Sequence, residues 1–212
     1  MLWGMSTPFS SSDEPVILVS GEDLFWQKYQ QPITFAFVLL LGLAGFLGWR
    51  FYTKHKNEKA AWAMYQNATQ SSSWLEITQI YPQTSAAADV LLNLASQAVQ
   101  ENKYSQAVDY YQKFLAIFKK HPTQPAAEFA AAMCLEIDHK NADARKAYEA
   151  IINAKPEHPF FVPAKLGLAR LDIAENKLAN AREHLKLIVA EYRDNPFWNE
   201  ANLLLSQNNL RN

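Results

Sequence analysis

The sequence predicts an all-α protein in which one membrane-spanning helix precedes a solenoid of helical hairpins. Three observations lead to this prediction. An apolar run without any charge extends from Ile33 to Trp49. The rest of the chain is poor in glycine and rich in alanine, a composition that favours helix. Finally, three segments of the second half align with one another at a constant step, which is typical of stacked helical repeats.

The apolar run is long enough to cross a bilayer. At about 1.5 Å per residue it covers roughly 25 Å, and the side chain of Arg50, reaching toward the headgroups, extends this to ~30 Å. Aromatic residues that favour the membrane interface stand on both sides: Phe25, Trp26, Tyr29, Trp49, Phe51 and Tyr52. We therefore expect lipid contact through residues 33–49 and a transmembrane helix over residues 29–53.

Two other interpretations of the run are weaker. A buried helix of a soluble domain is disfavoured, because every face is apolar and interfacial aromatics flank both ends. A cleaved signal peptide has a short basic region before its apolar run, whereas this chain has a long acidic one. The sequence thus predicts an uncleaved anchor behind an N-terminal tail, residues 1–28, that is mostly disordered.

Residues 54–82 are predicted to form a helical extension and an N-terminal cap. No helix breaker occurs between the anchor and Ala68, so the membrane helix is expected to continue to about Thr69. Serines 71–73 then provide an N-cap for a short helix from Trp74 to Ile80.

The region that follows repeats every 37 residues. Ala107, Ala144 and Ala181 keep this step, and apolar or aromatic side chains follow each alanine four and seven positions later, on one helical face. The prolines that close the segments keep the same step: Pro122, Pro159 and Pro196. The repeating unit is therefore a helix, a turn, a second helix and a proline turn.

Small residues also stand twelve positions before each of these alanines, at Ala95, Ala132 and Ala169. Small side chains let two antiparallel helices approach closely. We predict that these three residues and the three alanines of the second helices are the repeat-packing residues of three hairpins in residues 83–196. Because a solenoid needs a cap at its end, residues 197–212 are expected to form a C-terminal capping helix.

This pattern resembles the tetratricopeptide repeat, which places small residues and an aromatic at comparable offsets. The period is 37 residues rather than the family's usual length of about 34, and the family's early tryptophan is absent. The resemblance implies a right-handed α-solenoid of tetratricopeptide-like hairpins whose first helices line a concave face. Phe129 and Lys165, on such first helices, are therefore candidate peptide-binding residues, while most other aromatics of the repeats are expected in the core.

No residue pattern indicates an enzyme, a cofactor or a metal site. None of the histidines has the spacing of a metal site, and no glycine-rich phosphate loop or paired-carboxylate motif occurs. Cys134 is the only cysteine, so no intrachain disulfide can form, and buried packing is favoured over nucleophilic use. With 20 Lys and Arg against 21 Asp and Glu, the charge balance argues against nucleic-acid binding.

The charges beside the anchor predict a cytoplasmic repeat domain. Close to the span, Lys28 is the one basic residue on the N-terminal side, whereas four follow the span: Arg50, Lys54, Lys56 and Lys59. Basic flanks favour the cytoplasmic side of a membrane.

A second resemblance indicates the opposite orientation. The segment from Gly48 to Ala68 is similar to the membrane-exit segment of the YfgM family, through Gly48, Trp49, Arg50, Tyr52, His55, Ala61, Tyr65 and Ala68. The resemblance implies a bacterial inner-membrane protein with a single span, whose periplasmic repeat domain associates with subunits of the SecYEG translocon, with chaperones and with client polypeptides. That family usually has basic residues before the span, and this chain departs from it there. We favour the periplasmic placement because the resemblance covers both the anchor exit and the domain layout.

Two functional hypotheses follow. The first is a membrane-anchored protein-interaction module that assists export and folding at the Sec translocon, where tethering raises the effective concentration of its groove. The second is a structural scaffold subunit of another membrane complex, with a cytoplasmic repeat domain. An enzyme is disfavoured.

Overall fold

The computed structural model describes residues 21–68, 71–154 and 158–207. Residues 1–20 of the predicted tail and residues 208–212 of the predicted cap lie outside the described residues. Within the described ranges the chain forms nine α-helices and no strand. The helices are α1 Gly21–Asn67, α2 Ser71–Ile80, α3 Ser85–Gln100, α4 Tyr104–Ile117, α5 Gln124–Ile137, α6 Asn141–Ala154, α7 Phe161–Ala174, α8 Leu178–Glu191 and α9 Trp198–Gln207.

The chain divides into two units, with the boundary between Thr53 and Lys54. The first unit contains most of α1, whose first turns include residues 21–28 that the sequence assigned to the tail. Among the described residues, α1 is the one helix that is long and apolar enough to cross a membrane by length and composition. Its large apolar side chains are exposed: Phe35, Phe37, Val38, Leu39, Leu40, Leu41, Leu43, Phe46 and Leu47.

The second unit is built from helical hairpins. Each of α3 to α8 packs against the helix that follows it, and α5 also contacts α7. The second helices of the three hairpins begin at Tyr104, Asn141 and Leu178, in the 37-residue step that the sequence predicts. Helices α5 and α7 are the first helices of the second and third hairpins, so their contact places the first helices of neighbouring hairpins side by side. The ends are covered by α2, which packs on α3, and by α9, which packs on α8.

The turn inside each hairpin uses one residue with a left-handed backbone. Asn102, His139 and Asn176 have φ values of 58°, 59° and 58°. The amide that follows each of them donates back to a carbonyl of the preceding helix, for example Lys103 N to Ala98 O at 2.8 Å. This arrangement satisfies carbonyls at the helix end that would otherwise lack partners. An acidic residue and a lysine on either side of each turn residue form an ion pair, at 2.6 to 2.9 Å.

The last turns of α1 belong to the second unit and form an aromatic cap on its first hairpin. The rings of Tyr65 and Trp74 stack at 6.0 Å, so α1 and α2 contact each other through this pair. Trp62 Nε1 donates to Ser85 Oγ at 2.9 Å, and Asn93 Nδ2 donates to the Tyr65 hydroxyl at 2.8 Å. The sequence predicts that α1 ends at about Thr69, and the structure ends it two residues earlier, at Asn67. It predicts that α2 begins at Trp74, and the structure begins it three residues earlier, at Ser71.

The buried apolar residues form two clusters. The larger one runs from the last turns of α1 to α7, and the smaller one joins α7, α8 and α9. Helix α7 contributes to both, because Leu168 lies in the larger cluster and Leu166 in the smaller one. This helix is therefore buried on two opposite sides and forms the wall between the clusters.

Candidate protein-binding surface

The six alanines that the sequence singles out are fully buried. Each hairpin contributes one from its first helix and one from its second: Ala95 with Ala107, Ala132 with Ala144, and Ala169 with Ala181. Larger side chains, including Phe114 and Tyr148, fill the remaining interior. The alanines thus lie inside the hairpin stack and are not available to a partner.

Phe129 is half-buried in the contact between two hairpins. Its ring stacks on Phe160 with 5.0 Å between centroids and lies 6.1 Å from the ring of Tyr148. Phe160 directly precedes α7, so this aromatic group joins the second hairpin to the third. One face of Phe129 is therefore occupied within the protein, and only part of the side chain could contact a ligand.

Lys165 has different neighbours from those of Phe129. It lies in the second turn of α7 with its Nζ atom 5.3 Å from the centroid of the Phe161 ring, a cation–π contact. The side chain is half-buried rather than projecting freely. The two candidates therefore lie in separate local environments. Among the described contacts, none joins Phe129 to Lys165.

An apolar stripe on α5 is a surface feature that the sequence analysis missed. Met133 and Ile137 follow Phe129 at intervals of four residues and are 37% and 45% exposed. Residues four apart lie on the same helical face. The sequence signal for the stripe is the four-residue spacing of these three residues, of which the sequence analysis singles out only Phe129.

Polar groups around this stripe form an ionic network. Arg170 donates to both carboxylate oxygens of Glu136, from Nε at 2.8 Å and from Nη2 at 2.9 Å. The Tyr148 hydroxyl donates to the same carboxylate at 2.6 Å, and Arg170 Nη1 contacts Glu200 Oε1 at 3.2 Å. The network therefore connects α5, α6, α7 and α9.

The ionisation of this network follows from burial and from these bonds. Burial alone would raise the pKa of Glu136, but the hydrogen bonds from Arg170 and Tyr148 outweigh it and lower that pKa. Burial, together with the bond to Glu136, raises the pKa of Tyr148. The bond to Glu136 raises the pKa of Arg170 despite the opposing effect of burial. Glu136 is thus held as a carboxylate beside a cationic Arg170.

A second ionic cluster lies between the second and third hairpins. The fully buried Asp172 contacts Arg145 Nη2 at 2.8 Å and His184 Nε2 at 3.7 Å. Arg145 also contacts Glu175 at 2.9 Å. Burial lowers the pKa of His184, and the positive charge of Lys165 adds to this effect.

The described residues do not form a recognisable metal-binding or nucleophilic site. No group of three or more His, Cys, Asp or Glu side chains among them is arranged to hold a metal ion. Cys134 is buried, and burial raises the pKa of its thiol, which makes the thiolate less accessible. The arrangement is that of a helical surface with an apolar stripe and paired charges.

Comparison with known proteins agrees with this architecture. A family model described as a tetratricopeptide repeat-like domain matches residues 24–191, a range that includes α2 to α8 and most of α1. A search of curated proteins finds no match.

Proposed function

Because the chain belongs to the tetratricopeptide repeat-like domain family, we propose that it is a membrane-anchored protein-interaction module that assists protein export and folding at the Sec translocon. Domains of this family typically bind protein partners and are generally non-catalytic. The observation that carries the proposal is the joining of an exposed apolar helix to a stack of such hairpins in one chain.

The anchor is assigned to residues 29–53, and the three right-handed tetratricopeptide-like repeats to residues 83–196. In the same proposal, residues 1–28 are the tail before the anchor, although residues 21–28 belong to α1, residues 54–82 are the extension and N-terminal cap, and residues 197–212 are the C-terminal cap. An exposed apolar helix of this length is unfavourable in water and favourable in a bilayer, which supports the anchor. Tethering then keeps the interaction surface at high local concentration near chains that leave the translocon.

The periplasmic placement and the Sec partner are supported by the likeness of residues 48–68 to the YfgM family. In this proposal the hairpins lie outside the cytoplasm and contact translocon subunits, chaperones and unfolded clients. The test is extraction in mild detergent followed by co-purification with the full chain. We expect SecY together with a varied set of unfolded secreted proteins. A single partner at fixed stoichiometry, without SecY, would contradict this function.

A scaffold in another membrane complex, with cytoplasmic hairpins, is the second candidate. One observation favours it: four Lys and Arg residues follow the apolar run closely and one precedes it. A reporter that is active only outside the cytoplasm, fused after Asn212, separates the two candidates. Reporter activity supports the translocon module, whereas silence together with activity of a cytoplasmic reporter supports the scaffold.

A further inference from the structure

The chemistry around α5 points to the kind of segment that the interaction surface takes. We propose that the α5 stripe, defined as Phe129, Met133 and Ile137, binds apolar polypeptide segments flanked by a basic residue, and that the neighbouring Glu136 network makes it disfavour acidic flanks and free carboxylate ends. This inference rests on the proposed interaction function and specifies its ligand.

Met133 and Ile137 are 37% and 45% exposed and lie one turn apart on the same face. Covering them with another apolar group would be favourable. Methionine is unbranched and polarisable, so it adapts to ligand side chains of different shapes. A stripe of this kind accepts many apolar sequences rather than one.

Arg170 is the cation beside the stripe. A free cation here would attract the carboxylate end of a peptide. Its Nε and Nη2 atoms are instead occupied by Glu136 at 2.8 and 2.9 Å, and its Nη1 atom by Glu200 at 3.2 Å. A ligand carboxylate would have to displace Glu136 or Glu200 from Arg170. The carboxylate end of a peptide would therefore gain little binding free energy here.

The ionic network beside the stripe carries an excess of negative charge. Glu136 and Glu200 supply two carboxylates against the one guanidinium of Arg170, so this group carries a net negative charge. The Glu200 side chain is 46% exposed while it contacts Arg170. A basic residue at the edge of an apolar segment would be attracted to the Glu200 carboxylate, and salt would screen this attraction.

The test uses the full chain in nanodiscs of zwitterionic lipid, with empty nanodiscs as the blank. Two fluorescent peptides with amidated ends share one apolar stretch of leucine and alanine and differ in having lysine or glutamate flanks. We expect the lysine peptide to bind at least about fivefold more tightly at low salt, with a smaller difference at high salt. Equal binding, or tighter binding of the glutamate peptide, overturns the charge assignment.

Matched variants locate the binding site. Ile137→Ser should weaken binding of both peptides by about fivefold or more, because it removes an apolar contact at the stripe. Ile117→Ser is the control, since Ile117 is 41% exposed but lies at the end of α4. Glu200→Gln should reduce only the preference for lysine flanks. An equal effect of the two isoleucine variants overturns the assignment to α5.

The remaining outcomes separate this inference from the proposed function. If neither peptide binds and Ile137→Ser instead abolishes a dimer detected by sedimentation, a second copy covers the stripe and the inference is wrong. If peptide binding is absent while SecY still co-purifies, the inference fails and the translocon role stands. If the lysine peptide binds as expected without SecY co-purification, the ligand assignment stands and the translocon role fails.

Discussion

The ring of Tyr148 lies against the backbone of Gly167 in the contact between α6 and α7. A Cβ atom added at Gly167 would be 2.5 Å from Cζ and 2.6 Å from Cε2 of this ring, far inside van der Waals contact. Tyr148 is fully buried, and its hydroxyl is held by Glu136 at 2.6 Å, so the ring has little freedom to move. Glycine at this position therefore sets how closely the second and third hairpins approach.

Gly167→Ala is expected to destabilise the hairpins by about 1–3 kcal/mol, because the new methyl group forces the ring or the helix to shift. Thermal unfolding of the full chain in detergent, followed by circular dichroism, measures the effect. Gly48→Ala is the control, since an added Cβ there has nothing within 4 Å. An unchanged melting temperature in Gly167→Ala would show that the two helices can separate at no cost.

His139→Asn should stabilise the second hairpin. His139 has a φ of 59°, and the two equivalent turns use asparagine, which tolerates the left-handed region better. We expect a gain of about 0.5 kcal/mol, a fraction of the cost of this conformation for an ordinary residue. Urea unfolding of the full chain in detergent measures it. Asn176→His, the reverse change in the third hairpin, should lose a similar amount; a gain there would contradict the explanation.

Arg170→Met should cost about 2–4 kcal/mol at neutral pH, because it leaves the Glu136 carboxylate largely buried without its cationic partner. The pKa of Glu136 is lowered below 4.5 in the folded protein, so its stabilising contribution is present above that value and is lost as pH falls through the folded pKa. The difference between wild type and variant should therefore shrink in acid.

The control for this variant is Lys146→Met. The Lys146 side chain is 77% exposed and its contact with Asp143 is 3.5 Å long, so its removal should change stability by less than about 0.5 kcal/mol. Urea unfolding of both variants at pH 7 and at a pH well below 4.5, where the folded protein begins to protonate Glu136, supplies the comparison. A loss for Arg170→Met that is independent of pH would mean that packing, rather than charge pairing, is what the arginine contributes.

His184 should make the hairpins less stable in mild acid. The pKa of His184 is lowered from 6.5, first by burial and then by Lys165 and Arg145, against the opposing charges of Asp172 and Glu183. The unfolded chain therefore takes up the proton first, and stability decreases as pH falls from about 6.5 to the folded pKa. His184→Gln should flatten this part of a stability profile measured by urea unfolding. A variant with an unchanged slope would assign the pH dependence to another group.

The 37-residue step predicts the helical repeats, and the tetratricopeptide-like assignment is confirmed by the family match. The step carries this information because fully buried alanines recur with it, one on the first helix and one on the second helix of each hairpin, as with Ala132 and Ala144. Such positions repeat with the sequence. The end of α1 and the start of α2 differ from the predicted positions by two and three residues, because serine and threonine can end one helix or begin the next.

The surface could be predicted only in part, because it depends on contacts between hairpins. Phe129 looks available in the sequence, but Phe160, thirty-one positions later, stacks on it across the interface. Arg170 and Glu136 likewise meet only when α7 is placed beside α5. The relative placement of neighbouring hairpins has no simple periodic signature, so these pairs could not be predicted from spacing.

The division of the interior at α7 has a consequence for how the molecule opens. The smaller apolar cluster joins α8 and α9 to one side of α7, so α8 and α9 can lose their order as a cooperative segment while α7 stays packed in the larger cluster with the preceding hairpins. Backbone amides of α8 and α9 should then exchange with deuterium sooner than those of α3 and α4. Local unfolding from the C-terminal end would expose Leu185 and Ile188, which are fully buried in the folded protein. These apolar side chains could then drive association with other chains.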